Sequence, residues 1–339
     1  MKEQITERFP GIGCAWMDET GNIATEYVGF ADREKQIAVD QSTIFPACSI
    51  SKFVTALCVM QWHEQMKIAI DRPVNVYLDQ WKLRTQDGKE SDTTIRALLC
   101  HTGGVIDGEE AFYGLRWYDA QVTLMDILEG RTAYNPRATR SEKPHGTTFE
   151  YSDAGYCVLQ MLIEEVAKDE FAKVAQKMIF EKLGLKNTFL ASAENIAKDE
   201  RNKRMTTGYD GDGKPIPGRF PPCPDLAASG LWSTPEELLM IAKEFIAALN
   251  GQSFLLQAES ARQMAKPVER FPWTGLGLFM GDKKGVLMTQ GWGEHGQCMM
   301  KMNVRTGEIS VVMTNRNPEV DQVTSGVEWL VDQKMSKRL

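Results

Sequence analysis

No stretch of this chain is apolar for long enough to cross a bilayer as a helix, which takes about 20 such residues. The opening Met1-Lys2-Glu3-Gln4-Ile5-Thr6-Glu7-Arg8 is polar and lacks the apolar core of a secretory signal. The expectation is a cytoplasmic protein. Positive charge is in deficit, with a formal net charge of −7. That balance argues against nucleic acid or an anionic membrane as a partner. C-x-x-C spacing is absent. The seven cysteines, at 14, 48, 58, 100, 157, 223 and 298, are scattered and odd in number, as expected of reduced, buried thiols. The four histidines, at 63, 101, 145 and 295, fall in no metal-ligand spacing, so no metal and no cofactor are expected. Internal repeats and low-complexity tracts are also missing.

What the chain does have is 339 residues, 42% of them hydrophobic, enough for one large domain or two sharing a core. Residues 12–17 and 23–30 alternate as strands around a turn at 19–22. A buried helix is predicted over 50–66, a short one over 92–100, and others over 122–129, 154–168 and 169–183. Ser233-Thr234-Pro235-Glu236-Glu237 opens a helix over 235–249. Residues 204–224, rich in Gly and Pro, read as a long loop of the kind that forms lids. Strands follow near 275–281, 285–290, 297–304 and 308–314, with a hairpin over 301–308. A last helix spans 320–336. Strands at both ends and helices between them suggest one antiparallel sheet built from both chain ends, an α+β fold. The expected division is a sheet part, 1–48 with 250–339, and a mostly helical part, 49–249, with the active site in the cleft between them.

Three stretches carry chemistry. Ser49 and Lys52 form the single S-x-x-K in the chain, which puts Ser49 on the first turn of the 50–66 helix and Lys52 one turn on. First-turn amides offer free N–H groups to whatever binds Ser49. A Lys amine beside the hydroxyl can take its proton if burial lowers the Lys pKa. S-x-x-K occurs readily by chance, so its context decides. Tyr151-Ser152-Asp153 follows a polar loop and precedes a helix. A Tyr there can act as base or proton shuttle, while Ser152 or Asp153 suits a helix cap. Gly291-Trp292-Gly293-Glu294-His295-Gly296-Gln297 leads into a strand, and is either a Gly-rich hairpin turn or a place where backbone meets substrate. His101, in the tight turn His101-Thr102-Gly103-Gly104, reads as a structural hydrogen-bonder, and Cys48 as packing.

Taken together, these pieces resemble the serine β-lactamase-related superfamily: class C β-lactamases, DD-peptidases, D-aminopeptidases, family VIII esterases and nylon-oligomer hydrolases. Ser49 and Lys52 match S-x-x-K, and Tyr151 with Asp153 matches Y-x-N. Leu98-Leu99-Cys100-His101-Thr102-Gly103-Gly104 and Ala227-Ala228-Ser229-Gly230-Leu231-Trp232-Ser233-Thr234 resemble two further family segments. The resemblance covers nearly the whole chain. It implies a β-lactamase/transpeptidase-like fold, an antiparallel sheet flanked by helices with an inserted mostly helical domain. It also implies a Ser49 acyl-enzyme, with Lys52 and Tyr151 sharing the proton work. The substrate would be a small peptide, amide or ester.

The chain departs from the family pattern twice. Asp153 replaces the usual Asn, where it orients Lys52 or touches substrate. The third motif, usually K-T-G or H-x-G, aligns as Glu294-His295-Gly296 or as His295-Gly296-Gln297. The first register keeps the Gly and makes Gln297 the second oxyanion donor beside Ser49. A Glu where relatives carry a cation repels a substrate carboxylate. A neutral or amine-bearing substrate is therefore expected over a β-lactam or a D-Ala-D-Ala peptide. The alternatives are a β-lactamase or DD-carboxypeptidase, a catalytically silent binding or scaffold protein, and a cysteine enzyme using Cys48.

Overall fold

The computed structural model describes residues 2–114, 121–191, 196, 199–220 and 223–335. Pro221 and Pro222 of the expected loop, and residue 336 of the expected last helix, lie outside these. Seven antiparallel strands form the main sheet, in the order Ile37–Ala38, Ile23–Asp32, Gly11–Met17, Ile309–Thr314, Gly296–Asn303, Val286–Gly293 and Phe279–Met280. The first and last parts of the chain thus meet at its centre, where Ala15 pairs with Val311. This is the expected α+β architecture.

Both faces of the sheet are covered, so its central strands are buried on both sides instead of alternating. On one face Ile12, Cys14, Met299 and Val312 pack under the terminal helix Val327–Gln333 and Ile5 of an N-terminal helix, Lys2–Arg8. The opposite face joins the main core, which runs without a break from Ala15 and Met300 to Leu98, Val158 and Leu162 of the helical part. The Pro235–Leu249 helix, capped by Thr234 and opened by Pro235, packs on strands Gly11–Met17 and Ile309–Thr314 of this sheet. Its place is with the strands, although the expected division put it in the helical part.

Several elements differ from their predicted bounds. The last helix is interrupted at Gly326, whose φ of 91° ends Gln322–Ser325 before Val327–Gln333 begins. Residues 169–183 make the short helix Phe171–Ala175 and then widen into a π-helical turn, Gln176–Phe180. Only Phe279–Met280 of the 275–281 stretch is paired as a strand. Gly277 crosses the helix Ser51–Glu64 so closely that a Cβ on it would lie 2.4 Å from the Ala56 Cβ.

Candidate active site

Strand Phe45–Cys48 lies on the main sheet and pairs edgewise with Leu231–Ser233. It turns into the Ser51–Glu64 helix through Ser49 and Ile50. The bend requires Cys48 at φ 44°, a left-handed conformation uncommon for any residue but Gly. Ser51 fastens it, donating from Oγ to the Cys48 carbonyl at 2.6 Å and accepting from Leu231 N–H at 2.9 Å. Ser49 therefore sits in the elbow just before the helix and not on its first turn as expected. Among the described residues no group accepts a hydrogen bond from the Ser49 N–H.

The first twelve residues of that helix, Ser51 to Trp62, are all buried, and Lys52 is 3% exposed. Its Nζ has three acceptors: Ser49 Oγ at 3.1 Å, Asp153 Oδ1 at 2.5 Å and the Ala228 carbonyl at 3.0 Å. Burial alone favours the neutral amine, but the Asp153 carboxylate and then the Tyr151 phenol outweigh it. Lys52 is held above its ordinary pKa as an ammonium ion. The condition set for a Lys base, a pKa lowered by burial, is thus not met, because a carboxylate occupies the position of the family's amide.

Tyr151 stacks on His101, with ring centroids 4.3 Å apart, and its ring centroid is 4.9 Å from Lys52 Nζ. The residue as a whole is 41% exposed, on the side facing the cleft. Its hydroxyl end is enclosed by protein, facing both Lys52 and Ser49. That desolvation raises the phenol pKa, and Lys52 offsets part of the rise. His101 is kept neutral by burial first and by Lys52 second. Its Nδ1 accepts from Ser152 N–H at 3.1 Å, which leaves the proton on Nε2.

Ser152 caps the Asp153–Ala167 helix, accepting from Gly155 N–H at 2.9 Å. Sequence reasoning missed Asp107, which fixes this junction. Its carboxylate accepts from Ser152 Oγ at 2.7 Å and from the N–H groups of Asp153 and Ala154 at 2.6 and 3.2 Å. Burial, with Asp153 next, pushes Asp107 up to about 7. Asp225 was missed as well. It is fully buried, accepts from the Tyr134 hydroxyl at 3.2 Å, and is pushed up to about 6 by burial and by Asp153. A lone Asp in a loop carries no sequence signal that separates these two from surface acids.

The third motif lies elsewhere than expected. Strands Val286–Gly293 and Gly296–Asn303 are joined by a two-residue turn, Glu294-His295. Glu294 and His295 line a side pocket of about 90 Å³ with Cys48, Asp153, Ser229 and Trp292. The His295 ring lies tilted against Trp232, with centroids 5.3 Å apart, and burial pushes its pKa down to about 4. Gly296 packs against Pro46 and the Thr314 carbonyl. Gln297 is buried, and its N–H donates to Thr314 Oγ1 at 3.0 Å, so it is not aimed at Ser49. The expected oxyanion role of Gln297 is corrected on that ground.

The same geometry turns a different backbone N–H toward the cleft. The Gln297 N–H and C=O both engage Thr314, so the Trp292–Gln297 pair is a non-hydrogen-bonded one. Trp292 N–H then faces the open edge of its strand. Gly291, one residue before, lies tightly against the Ala47 carbonyl and the Cys48 Cβ. This contact draws the strand edge up to the elbow. Trp292, Gln290, Ser49, Tyr151 and Asp153 line one cleft of about 500 Å³. Its walls include Tyr113, Phe149, Trp273 and Phe279.

A catalytic-type Ser-Lys-Tyr cluster at the edge of such a sheet is the architecture of β-lactamase/transpeptidase-like proteins. The chain belongs to the Beta-lactamase family, whose model matches residues 2–332. Among named relatives, esterase EstB of Burkholderia gladioli is 29% identical over 197 residues, 57% of this chain and 48% of that protein. Unguisins hydrolase ungD of Aspergillus violaceofuscus is 28% identical over 197 residues, 57% of this chain and 34% of that protein. The chain thus matches between a third and a half of the length of these relatives. The D-amino acid amidase from Ochrobactrum anthropi SV3 superposes with a TM-score of 0.76 at 18% identity, over 98% of this chain and 96% of that one. At that identity the likeness is one of fold. No helix among the described residues is long and apolar enough to cross a membrane.

Proposed function

We propose that the protein is a serine hydrolase that cleaves an amide or ester of a small neutral or amine-bearing molecule through a Ser49 acyl-enzyme. The observation that carries this reading is the placement of Lys52 Nζ, 3.1 Å from Ser49 Oγ and buried behind Ser49, Tyr151 and Asp153, which line an open cleft. Ser49 attacks the carbonyl carbon. The N–H groups of Ser49 and Trp292 stabilise the oxyanion. Lys52 and Tyr151, both facing Ser49, share the proton work.

Charge sets the substrate class. Asp107 and Asp153 line the main cleft, and Asp153 and Glu294 the side pocket. Among the described residues lining either one there is no Lys or Arg. A substrate carboxylate has no cation to meet there except Lys52, which is already engaged. Like-charge contact costs several kcal/mol by order of magnitude. The printed names of the relatives, an esterase, a hydrolase and a D-amino acid amidase, fit an ester or amide.

Turnover of p-nitrophenyl acetate, D-alanine p-nitroanilide and nitrocefin by wild type and Ser49→Ala tests this. The ester or the anilide should be the better substrate, and Ser49→Ala should abolish turnover. Nitrocefin as much the best substrate overturns the charge argument. Turnover that survives in Ser49→Ala overturns the mechanism. A fluorophosphonate adduct on Ser49, seen by intact mass, separates an enzyme from a silent scaffold.

A further inference from the structure

We propose that Asp153 is the terminal acceptor of the Ser49 proton, reached through Lys52. The inference rests on the reading of Ser49 as nucleophile. As Oγ forms its bond to the substrate carbonyl carbon, its proton passes to Lys52 Nζ, and a Lys52 proton passes to Asp153 Oδ1. The carbonyl π pair becomes the oxyanion. When the tetrahedral species collapses, the bond to the leaving group breaks. The proton returns from Asp153 through Lys52 to the leaving nitrogen or oxygen, and the charges balance.

The geometry leaves little choice of route. Each of the three N–H bonds of the Lys52 ammonium already has an acceptor, so no lone pair faces Ser49. Lys52 can receive a proton from Ser49 only by giving one away. Of the groups it meets besides Ser49, the Ala228 carbonyl and the neutral Tyr151 phenol cannot hold a further proton and the Asp153 carboxylate can. Asp153 Oδ1 is also the nearest of the three, at 2.5 Å. Asp107 grips the backbone N–H of the same residue at 2.6 Å, which anchors the start of the helix that carries the carboxylate.

The charges around Asp153 favour the same outcome. Lys52 faces it from the Ser51–Glu64 helix. Asp107 faces it from its loop, and Asp225 from ahead of the short Leu226–Ser229 helix. Tyr151 and Cys157, on either side in its own segment, and Tyr134 feel its charge. Glu294 shares its side pocket. Lys52 is the one cation among these groups, and the rest are neutral or acidic.

The pH profile of Asp153→Asn discriminates the routes, because Asn is the family's own residue there and is close in shape. An amide cannot take the proton, so transfer must end on a neutral Lys52. The acid limb of kcat/KM for p-nitrophenyl acetate should then move to higher pH, because an amine replaces a carboxylate as the final acceptor. Were Tyr151 or a free Lys52 amine the base in the wild type, loss of the Asp153 charge would lower the pKa of that base. The limb would move to lower pH, and this result, or an unmoved limb, overturns the proposal. A second readout needs no variant. Wild-type kcat/KM in mixtures of H2O and D2O should curve with deuterium fraction, because more than one proton moves, and a straight line overturns the relay. Ser49→Ala run alongside reports separately on the nucleophile.

Discussion

His101 lies face to face with Tyr151, and the same imidazole accepts the N–H of Ser152, the next residue along. One neutral ring therefore sets both the plane of the phenol and the start of the helix that carries Asp153. His101 itself sits at φ 60°, a conformation that Asn tolerates better than Ala. In His101→Asn the stack is lost while the turn is kept. The expected outcome is a kcat reduced between about tenfold and a hundredfold, with KM little changed, as a misplaced proton-transfer group costs. Steady-state kinetics on p-nitrophenyl acetate check it, and an unchanged kcat would show that Tyr151 is held by other contacts.

Gly291→Ala should be far more damaging than its size suggests. The added Cβ would lie 2.6 Å from the Ala47 carbonyl oxygen and 2.7 Å from both Cys298 Sγ and Cys48 Cβ. Backbone on one side cannot yield, so the strand carrying Trp292 must move away from the elbow. The expected loss is about 1–3 kcal/mol of stability. The loss in kcat should exceed that in binding if the Trp292 N–H, the proposed oxyanion donor, moves with the strand. Chemical denaturation and kinetics measure the two effects separately.

Asp225 makes stability depend on pH in an unusual direction. A carboxylate with an ordinary pKa of 3.8 stands at about 6 when buried here. Between those values the folded protein binds more protons than the unfolded chain, so stability falls as pH rises through this window. Above about pH 6 the ionised, buried carboxylate is a standing cost on the order of 3 kcal/mol. Asp225→Asn should raise the melting temperature at pH 8 and leave it nearly unchanged at pH 4. Calorimetry at the two values decides; an equal shift at both pH values would show that the charge is not the cause.

Much of this was readable from the chain. The S-x-x-K spacing, the Tyr two residues before Asp153 and the unbroken apolar run from Phe53 each reflect a local rule, helical periodicity or a cap, and local rules survive folding. The third motif did not yield to the same treatment. Gly291, Gly293 and Gly296 look alike in sequence, yet each is shaped by a different distant neighbour: Ala47, Cys48 and Thr314. Which of them flanks the active strand is decided by strand pairing, and no local spacing encodes that. Asp107 and Asp225 were invisible for the related reason that their burial comes from chain more than 40 residues away, at Ser152, Asp153 and Tyr134.

The central pairing of Ala15 with Val311 also has a bearing on biosynthesis. A ribosome releases the elbow bearing Ser49 early, but the edge that supplies the Trp292 amide emerges nearly 250 residues later. The first strands wait equally long for the partner that buries them. Assembly of the cleft and burial of the first strands thus wait for the same late stretch of chain.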